Sequence, residues 1–419
     1  MAKKKEKIGL WMVGVCGGVG CTVALGMAAL ARRRAYPAGL VTALPPFESV
    51  GLCDCDSMVV GGHEIRGETL VEAVQHIHRC AHLFDASLIK ALTPDLHRFQ
   101  RNIRRGTLYG AGAMVRQLAD RDDVPKDRSP AAAIERLSAD IKGFQQRNGL
   151  DCVVVVHLAS CEPPASSRPA HANFAHLQRE LARSGSRVLP TSSLYALAAI
   201  EAGCAFINFT PSLGVSVPAI RARAEQIGVP YMGRDGKTGE TLVKSALAPM
   251  FAMRHLPILS WVGENILGNR DGAILNDPKT KLSKIRSKDR IIAAITGGKP
   301  TTLVSIDYVP SLHDWKVAWD FIHFEGFLGT KMSMQFTWQG SDSVLAAPLV
   351  IDLARLAALE CRAGRAGAMR YLAFFFKDPM DVHEHDLATQ WHRLVDHVAA
   401  GSPRMAAARK REKSRGFTH

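Results

Sequence analysis

The sequence has no internal repeat and no low-complexity region outside its two ends, so repeat, fibrous and disordered classes are excluded at once. It also lacks a basic stripe interleaved with aromatics, the pattern that tracks a nucleic-acid backbone, and aromatic residues make up only 7% of it. Acidic residues are in deficit, 39 against 53 lysines and arginines. Of the resulting +14, residues 1–7 contribute +3 and residues 404–419 contribute +5. The tail RMAAARKREKSRGFTH therefore reads as a solvated extension, with an acidic or nucleic-acid partner as the lesser alternative. The remaining excess suits an enzyme with anionic ligands. Nine cysteines, scattered singly apart from Cys53 and Cys55, form no disulfide framework and imply a reduced, cytoplasmic protein. His78 and His82, and the HEH at 383–385, have no third and fourth ligand nearby, so they read as exposed histidines and no metal site is expected.

Charge is also missing between Ile8 and Ala31, which is long enough to span a bilayer. The segment nevertheless holds six glycines, is flanked by basic residues on both sides, and runs into arginines with no small-residue cleavage site. No membrane partner is expected. Split at the glycines, it reads as a buried strand, IGLWMVGV, a turn, and a helix, CTVALGMAALARRR. Gly14, Gly17, Gly18 and Gly20 then fall where the backbone must turn sharply and approach a pyrophosphate at a helix N-terminus. GVCGGVG departs from GxGxxG, so a glycine-rich packing turn stays open as the alternative.

A second strand-like run, MVVGGHEI, ends near Glu64, which has the chemistry to bond the ribose hydroxyls of NAD. Its distance from the turn, about 45 residues against the usual 20 or so, leaves a surface strand-end acid as the other reading. Residues 65–150 read as mostly helical, with a start at Ser129-Pro130 and a stop at Gly149. DCVVVVHLAS, AFINFT and PYMGRD alternate with helices and continue a parallel sheet. Beyond residue 255 TTLVSIDYVP and KMSMQFTWQG alternate like strands with one wet or partner-facing side, and a long apolar helix follows from about Asp342. The fold class expected is α/β: a Rossmann-like doubly wound parallel sheet from residues 1–240 and 343–419, with an inserted α+β catalytic and tetramerisation domain over 241–342.

Lysines recur beside glycine, asparagine and aspartate in turn-like positions: GRDGKTGETLVKS, NILGNRDG, KLSKIRSK, HDWK and FFKDP. Singly each is a solvated surface lysine. Together, after a nucleotide domain, they suit a phosphorylated substrate, because ammonium groups balance a phosphate dianion. Three blocks then carry a resemblance to the myo-inositol-1-phosphate synthase family: GNRDG is similar to its GNNDG, SDSVLAAPLVIDL to EDSLLAAPLILDL, and DGKTGETLVKS to DLKSGQTKLKS.

The resemblance implies an NAD-dependent cyclisation of D-glucose 6-phosphate to 1L-myo-inositol 1-phosphate in a homotetramer assembled through the inserted domain's sheet. Carried over by position, it implies catalytic roles for Lys284, Lys288, Lys316, Lys377, Asp235 and Asp271. Thr238, Gly239, Thr241, Asn265 and Asn269 would bind the sugar phosphate, and Asp314 and Asp342 would join the glycine turn, Thr22 and Glu64 around NAD. A divalent or monovalent cation stays open. The departures are Gly18 and Val19 in place of paired asparagines, NFTPSLGVSVPA in place of NGSPQNTFVPG, and Arg270 and Glu240 in place of neutral amides. Two rivals remain: a related carbocycle synthase acting on another sugar phosphate, and a non-catalytic NAD-binding protein.

Overall fold

The computed structural model describes residues 6–119, 123–275 and 291–401. The charge-free run divides as its glycines require. β1, Ile8–Val13, is buried along its whole length, which demands strands on both sides and apolar cover on both faces. Its neighbours are β2, Met58–Glu64, and β4, Cys152–His157, both parallel and in level register, so that Val13 stands opposite His63 on one side and His157 on the other. With β3 at Ile103–Arg105, β5 at Ala205–Asn208, β6 at Pro230–Gly233 and the short β11 at Gly367–Ala368, the sheet runs β11-β6-β5-β4-β1-β2-β3. Strand order reverses on either side of β1, and the C-terminal ends of β1 and β4 open the crevice where ligands of doubly wound sheets lie. Among the described residues no helix is long and apolar enough to cross a membrane.

The helix signals fall where the sequence places them. Ser129 caps Pro130–Asn148 through its hydroxyl, and Gly149 ends that helix in the left-handed conformation. His82 differs: it is the left-handed C-cap residue of the helix Leu70–Ala81, and its ring stands edge-to-face with that of His78, centroids 6.0 Å apart. The long helix Asp342–Arg362 packs against the glycine-turn helix α1, Gly18–Ala31, and its apolar face belongs to the main core. Its Asp352 accepts the backbone N–H groups of Val41 and Thr42 at 2.6 and 3.1 Å, which pins the segment between α1 and β2.

A second sheet is built from β7, Ile258–Leu267, β8, Thr301–Tyr308, β9, Trp315–Glu325, and β10, Lys331–Ser341, in the order β10-β9-β7-β8. β7 and β9 escaped the sequence reading because WVGENIL and WKVAWDFIHF mix charges into their apolar alternation. Lys316 accordingly stands in a strand rather than a turn. One face of this sheet packs Trp261 and Ile322 against Ala248 and Phe251 of the helix Gly239–Met253. The other carries the stacked ladder Trp319, Phe321 and His323.

Candidate active site

A cleft of about 370 Å³ opens at the C-terminal edge of the parallel sheet, and the glycine turn forms one wall of it. Gly14 turns the chain with φ of 84°, and a Cβ there would come within 3.2 Å of the Ala159 backbone, so both conformation and space require glycine. α1 begins with Gly17 at its N-cap, no side-chain cap and no acid in its first turn. The amides of that turn therefore face the cleft without a side-chain acceptor, an arrangement suited to an anion. Gly20 lets α1 close onto the turn after β1, since its Cβ would stand 2.4 Å from the Val15 carbonyl oxygen. Gly18 lies as close to Ser343 Oγ, 2.4 Å from its would-be Cβ. Thr22 is turned away: its hydroxyl donates to the Gly18 carbonyl at 2.8 Å, so it does not replace the asparagine side chains that the turn lacks.

Glu64 ends β2 beside the turn, but its carboxylate is already engaged. It accepts the Cys16 N–H at 2.9 Å and the Ile65 N–H at 2.8 Å, and the Arg66 guanidinium lies against it. Glu64 thus holds the glycine loop in shape. Burial pushes His157, at the end of β4, down to about 4, so this part of the wall carries a neutral imidazole.

The start of the long helix supplies the wall that adjoins the glycine turn. Asp314 is buried and accepts hydroxyl bonds from Ser341 at 2.5 Å and Ser343 at 2.8 Å. Burial raises its carboxyl above the usual range, against the pull of those two donors. Asp342 pairs with Lys316 across 3.2 Å. Both aspartates line the cleft, whereas Lys316 and Gly239 border a cavity of about 10 Å³ that shares Asp342 with it.

A third group comes from the loop after β6. Asp235 has φ of 61°, a left-handed conformation held by its N–H on Thr210 O at 3.0 Å and by the Lys377 N–H on its own carbonyl at 2.7 Å. Lys377 Nζ returns to Asp235 Oδ1 at 3.1 Å, and the pair is buried in the cleft wall. Thr238 lines the cleft next to it. Lys237 points the other way, with Nζ donating to Gln390 Oε1 at 2.5 Å beneath the helix Leu387–Ala400.

The asparagine block divides. Asn269 reaches the cleft while its side-chain oxygen accepts the Gly272 N–H at 2.9 Å. Asn265 is buried in β7 and donates to Ser305 O, and Thr241 is buried in its helix, so neither forms part of the cleft wall. Asp271 lies in the helix Arg270–Leu275. Lys284 and Lys288 lie outside the described residues. The two charged departures acquire partners of their own. Arg270 reaches Glu68 at 3.2 Å across the cleft rim, and Glu240 forms a fully buried pair with Lys244 at 2.5 Å, over the Trp261 ring.

Sequence reasoning missed Glu162, Arg66 and Phe209, all in the cleft wall. Glu162 accepts the N–H of Ser192 at 2.8 Å and also its hydroxyl, and burial raises its carboxyl above the usual range. The first acid in the loop after β4 was the available signal for it. Among the described residues no group of three or more histidine, cysteine or acidic side chains is arranged to hold a metal ion.

Residues 8–398 match the family model for myo-inositol-1-phosphate synthase. The chain is similar to inositol-3-phosphate synthase 1 of Bacteroides thetaiotaomicron, 33% identical with 93% of this chain and 94% of the relative covered. It is 29% identical to the Drosophila melanogaster inositol-3-phosphate synthase, over 76% of this chain but 57% of that longer protein. Among solved structures, inositol-3-phosphate synthase from Caenorhabditis elegans superposes with a TM-score of 0.84 at 24% identity, covering 95% of this chain and 86% of the other. A myo-inositol-1-phosphate synthase-related protein from Thermotoga maritima gives 0.74 at 20%, covering 94% and 99%. At these identities the two structures bear on the fold.

Proposed function

The chain belongs to the myo-inositol-1-phosphate synthase family, and from that premise we propose that it cyclises D-glucose 6-phosphate to 1L-myo-inositol 1-phosphate with NAD as a recycled cofactor. The observation that carries the proposal is that one cleft joins an uncapped glycine turn to the buried Lys377–Asp235 pair. The turn fits a dinucleotide: its helix amides lack a side-chain acceptor, and Gly14, where a Cβ would meet the Ala159 backbone, lets the chain turn tightly beneath them. NAD held at the glycine turn would supply a hydride acceptor for C5 of the sugar and a hydride donor after ring closure.

The protein's own groups account for the rest. Asp235 holds Lys377 with its ammonium in the cleft wall, where a cation stabilises oxyanion character at C5 and at the C1 aldehyde during aldol closure. Lys316, oriented by Asp342, is placed to support the same charge from the side of the small cavity. Thr238 offers a hydroxyl to the phosphate, and the ordered wall keeps the open-chain sugar folded for attack by C6 on C1. Lys284 and Lys288 share proton transfer and phosphate binding on the strength of the family resemblance. We assign assembly to the second sheet, whose Trp319–Phe321–His323 ladder offers an aromatic face to a second copy in a homotetramer. Nine cysteines without a disulfide support a reducing, cytoplasmic setting.

The test is incubation of the purified protein with glucose 6-phosphate and NAD, with inositol phosphate followed by phosphorus NMR. Product is expected from the wild type. Lys377→Ala should lose about 100-fold or more in turnover while its NAD affinity stays within about threefold. No product from a wild type that binds NAD would overturn the substrate assignment.

A further inference from the structure

One departure from the family pattern and one difference inside a matching block lie against each other in space. The family reads Asn-Gly-Ser-Pro where this chain has Asn208-Phe209-Thr210-Pro211, and Asp-Leu-Lys where it has Asp235-Gly236-Lys237. The two segments lie side by side, with the Gly236 N–H donating to Phe209 O and the Asp235 N–H to Thr210 O, each at 3.0 Å. A Cβ on Gly236 would stand 2.1 Å from Phe209 Cζ, 2.3 Å from Cε1 and 2.5 Å from Cε2. The outer edge of the ring therefore occupies the volume that a side chain at 236 would fill. In this chain the bulk stands at the residue after β5 and not at the residue after Asp235.

We propose that Phe209 is a specificity-determining residue: its ring, seated on Gly236 next to the Lys377–Asp235 pair, forms the apolar wall that selects among hexose phosphates in the cleft. This rests on the sugar-phosphate reading given above. Phe209 and Gly236 both line the cleft, and the ring also packs against the main core, which fixes it as a wall rather than a flap. A ring offers the sugar only C–H and π surface, so a hydroxyl directed at it loses its water without gaining a partner. A sugar with a C–H at that point is favoured. A leucine at 236 with glycine at 209 would place a smaller, differently centred apolar group between the same two loops.

The experiment compares wild type, Gly236→Leu, Phe209→Gly and the double exchange, with Phe209→Leu as a variant that leaves no large void. Each is loaded with NAD and titrated calorimetrically with glucose, mannose and fructose 6-phosphates, and its melting temperature is recorded. Gly236→Leu alone should lower the melting temperature by displacing the ring, and the double exchange should recover it. The affinity ratios among the three sugars should shift by about tenfold in Phe209→Leu and in the double exchange, the scale expected of one repacked apolar contact. Unchanged ratios in both, or a double exchange whose melting loss is the sum of the singles, would overturn the inference. Wild-type turnover of glucose 6-phosphate with unchanged ratios would sink the inference alone. If the NAD-loaded wild type binds none of the three, both the inference and the functional reading fail.

Discussion

Asp235 and Lys377 show what a single residue contributes to this cleft. Lys377 was legible in FFKDP, and Asp235 in RDGKTG, but only as lysine and aspartate beside turn residues. That they meet at 3.1 Å depends on the left-handed backbone of Asp235 and on the chain returning there after the long helix. Asparagine tolerates the same conformation, so Asp235→Asn removes the charge while keeping the turn. The lysine then remains buried without its carboxylate, and about 3 kcal/mol of stability should be lost. A denaturant midpoint equal to that of the wild type would show that the pair is not desolvated as the structure has it. Asn265 and Thr241 make the complementary point: family position nominated them, but the second sheet and its covering helix bury them away from the cleft.

At the scale of elements, capping and periodicity carried most of the information, because both are set by neighbours within a turn or two. β1, β4 and the helix Pro130–Asn148 lie where the apolar runs and Ser129-Pro130 place them. The helix Leu387–Ala400 is tied to the site loop by something periodicity does not reveal, Lys237 reaching Gln390. Burial pushes the Lys237 ammonium from its ordinary 10.5 down to about 7, against the opposing pull of Asp386. Between those values the unfolded chain binds more protons than the folded one, so stability should rise with pH across that window. The slope from this residue should approach 1.4 kcal/mol per pH unit, roughly, and the contribution is lost as pH falls to 7. From pH 7.5 to 9.5 the urea midpoint of the wild type should rise relative to that of Lys237→Met, which cancels the opposite slope that the buried thiols give both proteins. Parallel curves for the two proteins would refute the assignment.

For the whole molecule, the parallel sheet and the second sheet meet at the cleft. The glycine turn comes from one, Asn269 follows a strand of the other, and Asp314 and Asp342 flank β9 and β10. Arg270 and Glu68 bridge the rim, but as an exposed pair they contribute little to stability, of the order of 0–1 kcal/mol. The face of the second sheet away from its helix carries Trp319 with more than a third of its surface exposed, 38%. A charge at that point should oppose assembly: Trp319→Glu is expected to sediment as a smaller species than the wild type at equal concentration. An identical sedimentation coefficient would remove this face from the proposed tetramer interface.

The sequence by itself determined the doubly wound sheet, the position of its glycine turn and the residues on which a catalytic reading rests. Each of these is written in apolar runs, glycine spacing and short motifs, and a strand buried on both faces has few ways to be encoded. The tertiary structure alone decided which charges meet. It paired Glu240 with Lys244, turned Lys237 toward Gln390, engaged Glu64 with the glycine loop, and set Phe209 on Gly236. The reason is physical: local order follows from interactions within a few residues of chain, whereas a buried charge or ring takes its partner from whichever distant segment the packing of the core brings beside it.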